Sequence, residues 1–130
     1  MRMTTGFVFA ALALLAVDAC RADDVVNERV PKQGLDAGKA AYLANCAACH
    51  RPEGTGLPGA FPPLAGSDYI KGTSKQDIVS SVLRGSSGKI TVNGVEYNNV
   101  MPAMSHLSDA DVANIVTFVY ASWGNPGGEI

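Results

Sequence analysis

Cys46-Ala47-Ala48-Cys49-His50 is the stretch of this chain whose residue types and spacing point most directly to chemistry. A C-x-x-C-H run is the attachment signature of a c-type haem. Two thiols can add across the two vinyl groups of one porphyrin to give thioethers, and the two-residue gap lets both sulfurs reach the same edge. The adjacent His50 then falls under the iron and can bind it as proximal ligand. Two other chemistries use the same residue types. A redox-active C-x-x-C opens a helix within a βαβ pattern, whereas no strand pattern precedes Cys46 and the run closes a helical one. A zinc site wants four ligands, and a second closely spaced Cys/His pair is missing. The expected cofactor is therefore one covalent haem c.

A proximal histidine leaves one axial position, for which the candidates are Met101, Met104 and His106. Methionine is more often a core gap-filler than a ligand. Here two methionines sit in a proline-containing loop, Val100-Met101-Pro102-Ala103-Met104, just before a helical pattern. Pro102 fixes φ after Met101 and stiffens the approach to the iron. Met101 is the expected ligand, with Met104, His106 or an open site as alternatives. A thioether is a soft ligand that favours ferrous iron, so it raises the reduction potential relative to a second histidine.

Few elements are needed to place these groups. A first helix is expected from Asp36 to about Ala48, with Leu35, Lys39, Tyr42 and Leu43 near helical spacing. Gly38 within it weakens the helix and is expected to serve close packing. Residues 51–72 hold Pro52, Pro58, Pro62 and Pro63 among five glycines, which reads as one long ordered loop. Ser74-Lys75-Gln76-Asp77 resembles a capping box opening a second helix that Gly85 stops. Lys89 to Tyr97, with Asn93-Gly94 at its centre, reads as a β-hairpin. A third helix is expected to open at Ser108, to bury Val112, Ile115, Val116, Val119 and Tyr120, and to end near Trp123-Gly124-Asn125.

The start of the chain reads as an export signal. Met1 to Gly6 carries one Arg and Phe7 to Val17 is an apolar run, too short to span a bilayer comfortably. Cleavage is expected after Ala19 or Ala22, giving a signal peptide over 1–22 and an extended tail over 23–34. A domain follows over 35–125, then a C-terminal tail over 126–130. Leu14 to Cys20 resembles a lipoprotein cleavage box, although Asp18 is unusual there, so Cys20 is either lipidated or lost. Setting aside Arg2, Arg21 and Asp18 leaves 8 Lys/Arg and 11 Asp/Glu from Asp23 onward, a net charge of −3. That balance excludes a basic nucleic-acid or membrane footprint, and no transmembrane span is expected after cleavage.

Together these motifs resemble the class I monohaem cytochromes c of bacterial type. The resemblance covers about Leu35 to Asn125. It rests on Cys46 to His50, Pro62-Pro63-Leu64-Ala65-Gly66, Met101-Pro102 and the final amphipathic helix. It implies an all-α fold of three main helices wrapped around one covalent haem, with a short β-hairpin insertion before the axial methionine loop. The first and last helices would cross near one haem edge, with Gly38 and Tyr42 meeting the Val116 to Tyr120 region. By the same resemblance the Met101 sulfur binds the iron and the Pro62 carbonyl accepts a hydrogen bond from the His50 ring, fixing its tautomer. Leu64 packs on the haem face. Asn93 to Met104 and Ser122-Trp123-Gly124-Asn125 are more pointed. They are similar to the cytochrome domains of copper nitrite reductases and to cytochrome subunits of periplasmic quinone-linked dehydrogenases.

The expected function is periplasmic electron transfer, to or from a reductase, oxidase or dehydrogenase, by a monomeric protein that is not itself an enzyme. With both axial sites filled the iron has no vacancy for substrate. Ala47-Ala48, Gly59-Ala60-Phe61 and Pro102-Ala103 are small or apolar and are expected to rim an exposed edge suited to brief encounters. Two other functions use the same residues: a fixed cytochrome subunit of a larger oxidoreductase, and a haem enzyme or sensor with an open sixth site.

Overall fold

The computed structural model describes residues 32–127. The expected signal peptide, Cys20, most of the expected tail and residues 128–130 lie outside them. The described chain is mainly helical with a small two-stranded antiparallel sheet. Helix α1 spans Lys32–Asn45, α2 Ala47–His50, α3 Asp68–Gly72, α4 Lys75–Arg84 and α5 Asp109–Ala121. Strands β1 (Ile90–Val92) and β2 (Val95–Tyr97) pair between α4 and α5, with Ile90 opposite Tyr97 and Val92 opposite Val95.

The first helix departs from expectation at both ends. Residues 32–34, expected in an extended tail, are helical. A Cβ on Gly34 would lie 3.6 Å from the Asn114 Oδ1 on α5, so this turn runs along α5 and gains its order there. Tertiary contact supplies what apolar periodicity does not show. At the other end α1 stops at Asn45. Cys46 bends the chain at φ −115°, and a separate single turn, α2, carries Ala47 to His50. Lys39 and Leu43 face solvent, and the buried positions of α1 are Gly38 and Tyr42.

Gly38 decides that orientation. A Cβ there would overlap the Asn114 carbonyl oxygen and lie 2.9 Å from the Phe118 Cβ. The obstacle is backbone, so only separation of α1 from α5 could relieve it. Gly38→Ala is expected to lower unfolding free energy by about 1–3 kcal/mol, the usual cost of overpacking, despite the gain in helix propensity. Thermal denaturation of the purified protein checks this, and an unchanged or raised midpoint would contradict the close approach.

The other elements follow local rules. The Ser74 and Ser108 side chains accept from the Asp77 and Asp111 backbone N–H and donate to their carboxylates, at 2.7 Å each. Both capping pairs start their helices where the sequence places them. The hairpin turns at Asn93-Gly94 with positive φ (50° and 78°). The region expected to be one loop over 51–72 instead ends in α3. Ser67 caps it through a 3.3 Å bond from Ile70 N–H, and Ile70 is buried. Five residues are too few for a periodic signal, so the cap was its visible trace. Asp68 and Asn93 then exchange two bonds (2.7 and 3.0 Å) that pin the hairpin turn to the start of α3.

The core joins Tyr42, Ile70, Val82, Val112, Ile115, Val116, Val119 and Tyr120. Tyr42, fully buried, meets the rings of Phe118 and Trp123 at centroid distances of 5.5 and 5.4 Å. Its hydroxyl donates to the Arg51 carbonyl at 2.6 Å. Burial, then Cys46 and Glu53, push its pKa well up, so it stays a donor. The α1–α5 contact thereby fixes the backbone as it leaves His50.

Candidate functional site

Behind this core lies a cavity that opens to solvent, with about 1300 Å³ of empty space within it and before its mouth taken together. Cys46, Cys49, His50, Pro62, Leu64, Met101 and Met104 all line it. Residues from three separate parts of the chain thus meet at one place. Among the described residues, no Asp, Glu, Lys or Arg side chain lines it. Such walls suit a large, flat, mostly apolar body.

His50 is buried, with 9 % of its surface exposed. Its Nδ1 lies 2.9 Å from the Pro62 carbonyl oxygen. A carbonyl can only accept, so Nδ1 carries the proton and Nε2 keeps its lone pair. Burial lowers the His50 pKa and outweighs the opposing pull of that carbonyl, leaving a neutral imidazole able to bind a metal. The loop that presents Pro62 is tied back to the motif, since Gly56 N–H bonds to the His50 carbonyl at 3.0 Å. Leu64 is held at both backbone groups: its N–H bonds to the Gly54 carbonyl (2.7 Å), and its carbonyl accepts from the Asn125 side-chain amide (2.8 Å).

The Met101 backbone pairs with Ser86, its N–H donating at 2.8 Å and its carbonyl accepting at 3.0 Å. Gly85, at φ 76°, makes this possible: a Cβ there would lie 2.6 Å from the Met101 carbonyl oxygen. The residue that stops α4 is therefore also the one that admits the methionine loop. Met104 hangs from the Val82 carbonyl by a 2.9 Å bond and is half-buried in the same cavity. His106 is not among the lining residues. It is exposed, and its Nε2 is 3.4 Å from the Asn45 Oδ1.

Cys46 and Cys49 are half-buried. Burial and the neighbouring Cys49 push the Cys46 thiol up to about 11. A redox-active cysteine has the opposite property, a lowered pKa and a ready thiolate. Among the described residues no three His, Cys, Asp or Glu side chains converge to hold a metal ion directly. The donors present are one imidazole nitrogen and thioether sulfurs in an apolar, uncharged cavity beside two thiols. They fit a haem.

Several wall residues were not expected at the site from sequence. Ile90, Val92 and Tyr97 of the hairpin line the cavity, as do Tyr69, Ile78 and Val82. Their alternation and helical spacing were visible, but not which face would meet the cavity. Of the expected rim, Ala60, Phe61 and Pro102 line the cavity, whereas Ala47 packs against the core.

Residues 35–123 match the family model for cytochrome c. The chain belongs to the cytochrome c family. The protein is accordingly an electron carrier with covalently attached haem c. It is 37 % identical over 92 residues to cytochrome c-552 of Thermus thermophilus, covering 68 % of this chain and 70 % of that protein. It is also 37 % identical over 91 residues to the cytochrome c subunit of the quinone alcohol dehydrogenase of Gluconobacter oxydans, where the match covers 69 % of this chain but 19 % of the subunit. The gluconate 2-dehydrogenase cytochrome c subunit of Pantoea cypripedii is 34 % identical over 121 residues, 87 % of this chain and 27 % of that protein. The cytochrome thus spans about a fifth to a quarter of the dehydrogenase subunits it matches. Among its described residues no helix is long and apolar enough to cross a membrane.

Proposed function

We propose that this cytochrome is an exported, periplasmic one-electron carrier whose haem is attached through Cys46 and Cys49 and ligated by His50 Nε2 and the Met101 sulfur. Bound haem supplies a ferric/ferrous couple. The chain's own groups set the conditions for it. Pro62 holds the imidazole in one tautomer and raises its basicity. Ser86 clamps the methionine backbone, so little conformational freedom is lost when the thioether binds. The uncharged walls disfavour the more positive ferric state, which raises the potential together with the soft sulfur ligand.

The observation that carries the reading is the meeting of a buried, tautomer-locked histidine and a backbone-clamped methionine in one cavity with both cysteines. Met101 is favoured over Met104 because its backbone is held on both its N–H and its carbonyl. Electrons are exchanged with a reductase, oxidase or dehydrogenase at the apolar mouth, where Val100 is 70 % exposed beside Phe61 and Pro102. The dehydrogenase-subunit relatives support a second arrangement, a lasting complex using the same mouth. A monomer on gel filtration of the isolated chain favours the free carrier.

Visible spectra of the ferric and ferrous holoprotein, with and without carbon monoxide, test the proposal. The expected result is a weak sulfur-to-iron band at the red end of the ferric spectrum and no ferrous carbon monoxide adduct. Absence of that band with ready carbon monoxide binding would replace the carrier by a sensor or enzyme with an open site.

A further inference from the structure

We propose that Asn99 is a positioning residue that ties the Met101 loop to the loop carrying Pro62 and so keeps the thioether on the iron. The proposal rests on His50 and Met101 being the axial ligands. The two ligands belong to distant parts of the chain and are anchored separately, His50 through Pro62 and Met101 through Ser86. Ligation by both at once needs those two stretches of wall kept at a fixed separation.

The Asn99 Nδ2 donates to the Ala60 carbonyl at 2.9 Å, and both residues line the cavity. Asn99 stands two residues before Met101, and Ala60 two before Pro62. The acceptor sits on a fixed turn, because Ala60 N–H bonds to the Leu57 carbonyl at 2.9 Å and Leu57 bridges to Phe61. The donor sits on a stretch with little else to hold it. Tyr97 is buried, but Asn98, Asn99 and Val100 are all exposed before Met101 turns inward. One amide therefore joins the methionine loop to the histidine's supporting loop where apolar packing is weakest.

Thioether sulfur prefers ferrous iron, so loosening shows first in the ferric protein. An added ligand then binds in proportion to the fraction of molecules with Met101 displaced. Losing one exposed hydrogen bond corresponds to about a 2- to 12-fold change in that fraction.

The test is imidazole titration of the ferric holoprotein, read by the shift of the main haem absorption band and, where Met101 is present, by loss of the sulfur-to-iron band. Asn99→Ala and the near-isosteric Asn99→Asp, which has no donor, are expected to bind imidazole about 2- to 12-fold more tightly. Asn98→Ala is expected to match the unaltered protein. In a Met101→Ala background the Asn99 substitutions are expected to change nothing, because no sulfur remains to be displaced. Unaltered affinity in both Asn99 variants overturns the proposal. So does an equal change in Asn98→Ala, or a change that persists in the Met101→Ala background, since either means general loosening. Survival of the sulfur band in Met101→Ala would instead remove the ligand assignment, and the Asn99 role with it.

Discussion

Met101→Ala is expected to abolish the sulfur-to-iron band, open the ferrous iron to carbon monoxide and lower the reduction potential by about 0.1–0.3 V, a fraction of the ~0.8 V range that axial ligands command. The direction follows from chemistry. Sulfur stabilises ferrous iron, and water or hydroxide in its place stabilises ferric iron. The fold is expected to survive, because Met101 is only half-buried and its backbone bonds to Ser86 do not involve the side chain. Met104→Ala is the internal comparison. It removes a thioether from the same cavity and a half-buried side chain from the same packing. It is expected to leave band, carbon monoxide exclusion and potential close to those of the unaltered protein. Potentiometric titration of both variants settles which sulfur matters, and the opposite pattern would move the ligand to Met104.

The Cys46→Ala, Cys49→Ala double variant is expected to lose all covalent pigment. Its polypeptide should carry no haem on denaturing electrophoresis or by intact mass. The loss should also cost stability. Without a held haem, apolar walls that include Ile70, Val82, Val92, Val116 and Val119 surround empty space. A group bound to the folded state alone stabilises it by mass action, and a covalent one cannot be diluted away. The double variant is therefore expected to melt at a clearly lower temperature and without a sharp transition. Either single variant keeps one thioether and is expected to retain pigment. Covalent pigment in the double variant would contradict attachment at these cysteines.

The parts legible in advance are those governed by neighbours in sequence. Ser74 with Asp77 and Ser108 with Asp111 marked two helix starts because capping is completed within four residues. Asn93-Gly94 marked the hairpin because its backbone conformation is a local property. The buried face of α5 was visible because Val112, Ile115, Val116, Val119 and Tyr120 repeat at helical spacing. What was misplaced depends on distant partners. Residues 32–34 are helical alongside Asn114, eighty positions away. The face of α1 is set by Gly38 meeting α5, which put Lys39 and Leu43 into solvent. Helix α3 is too short to announce itself and is held by Ile70 in the core and by Asn93 of the hairpin.

The residues alone determined the chemistry: two thiols and an imidazole within five positions can do little else so well as hold a porphyrin, and family membership agrees. Only the tertiary structure decided how those groups are supported. It committed His50 Nδ1 to the Pro62 carbonyl, hung the Met101 backbone on Ser86, turned the hairpin into a cavity wall and left His106 outside. Reactive groups are written residue by residue. Their orientation depends on contacts between segments far apart in the chain, and these exist only in the folded molecule.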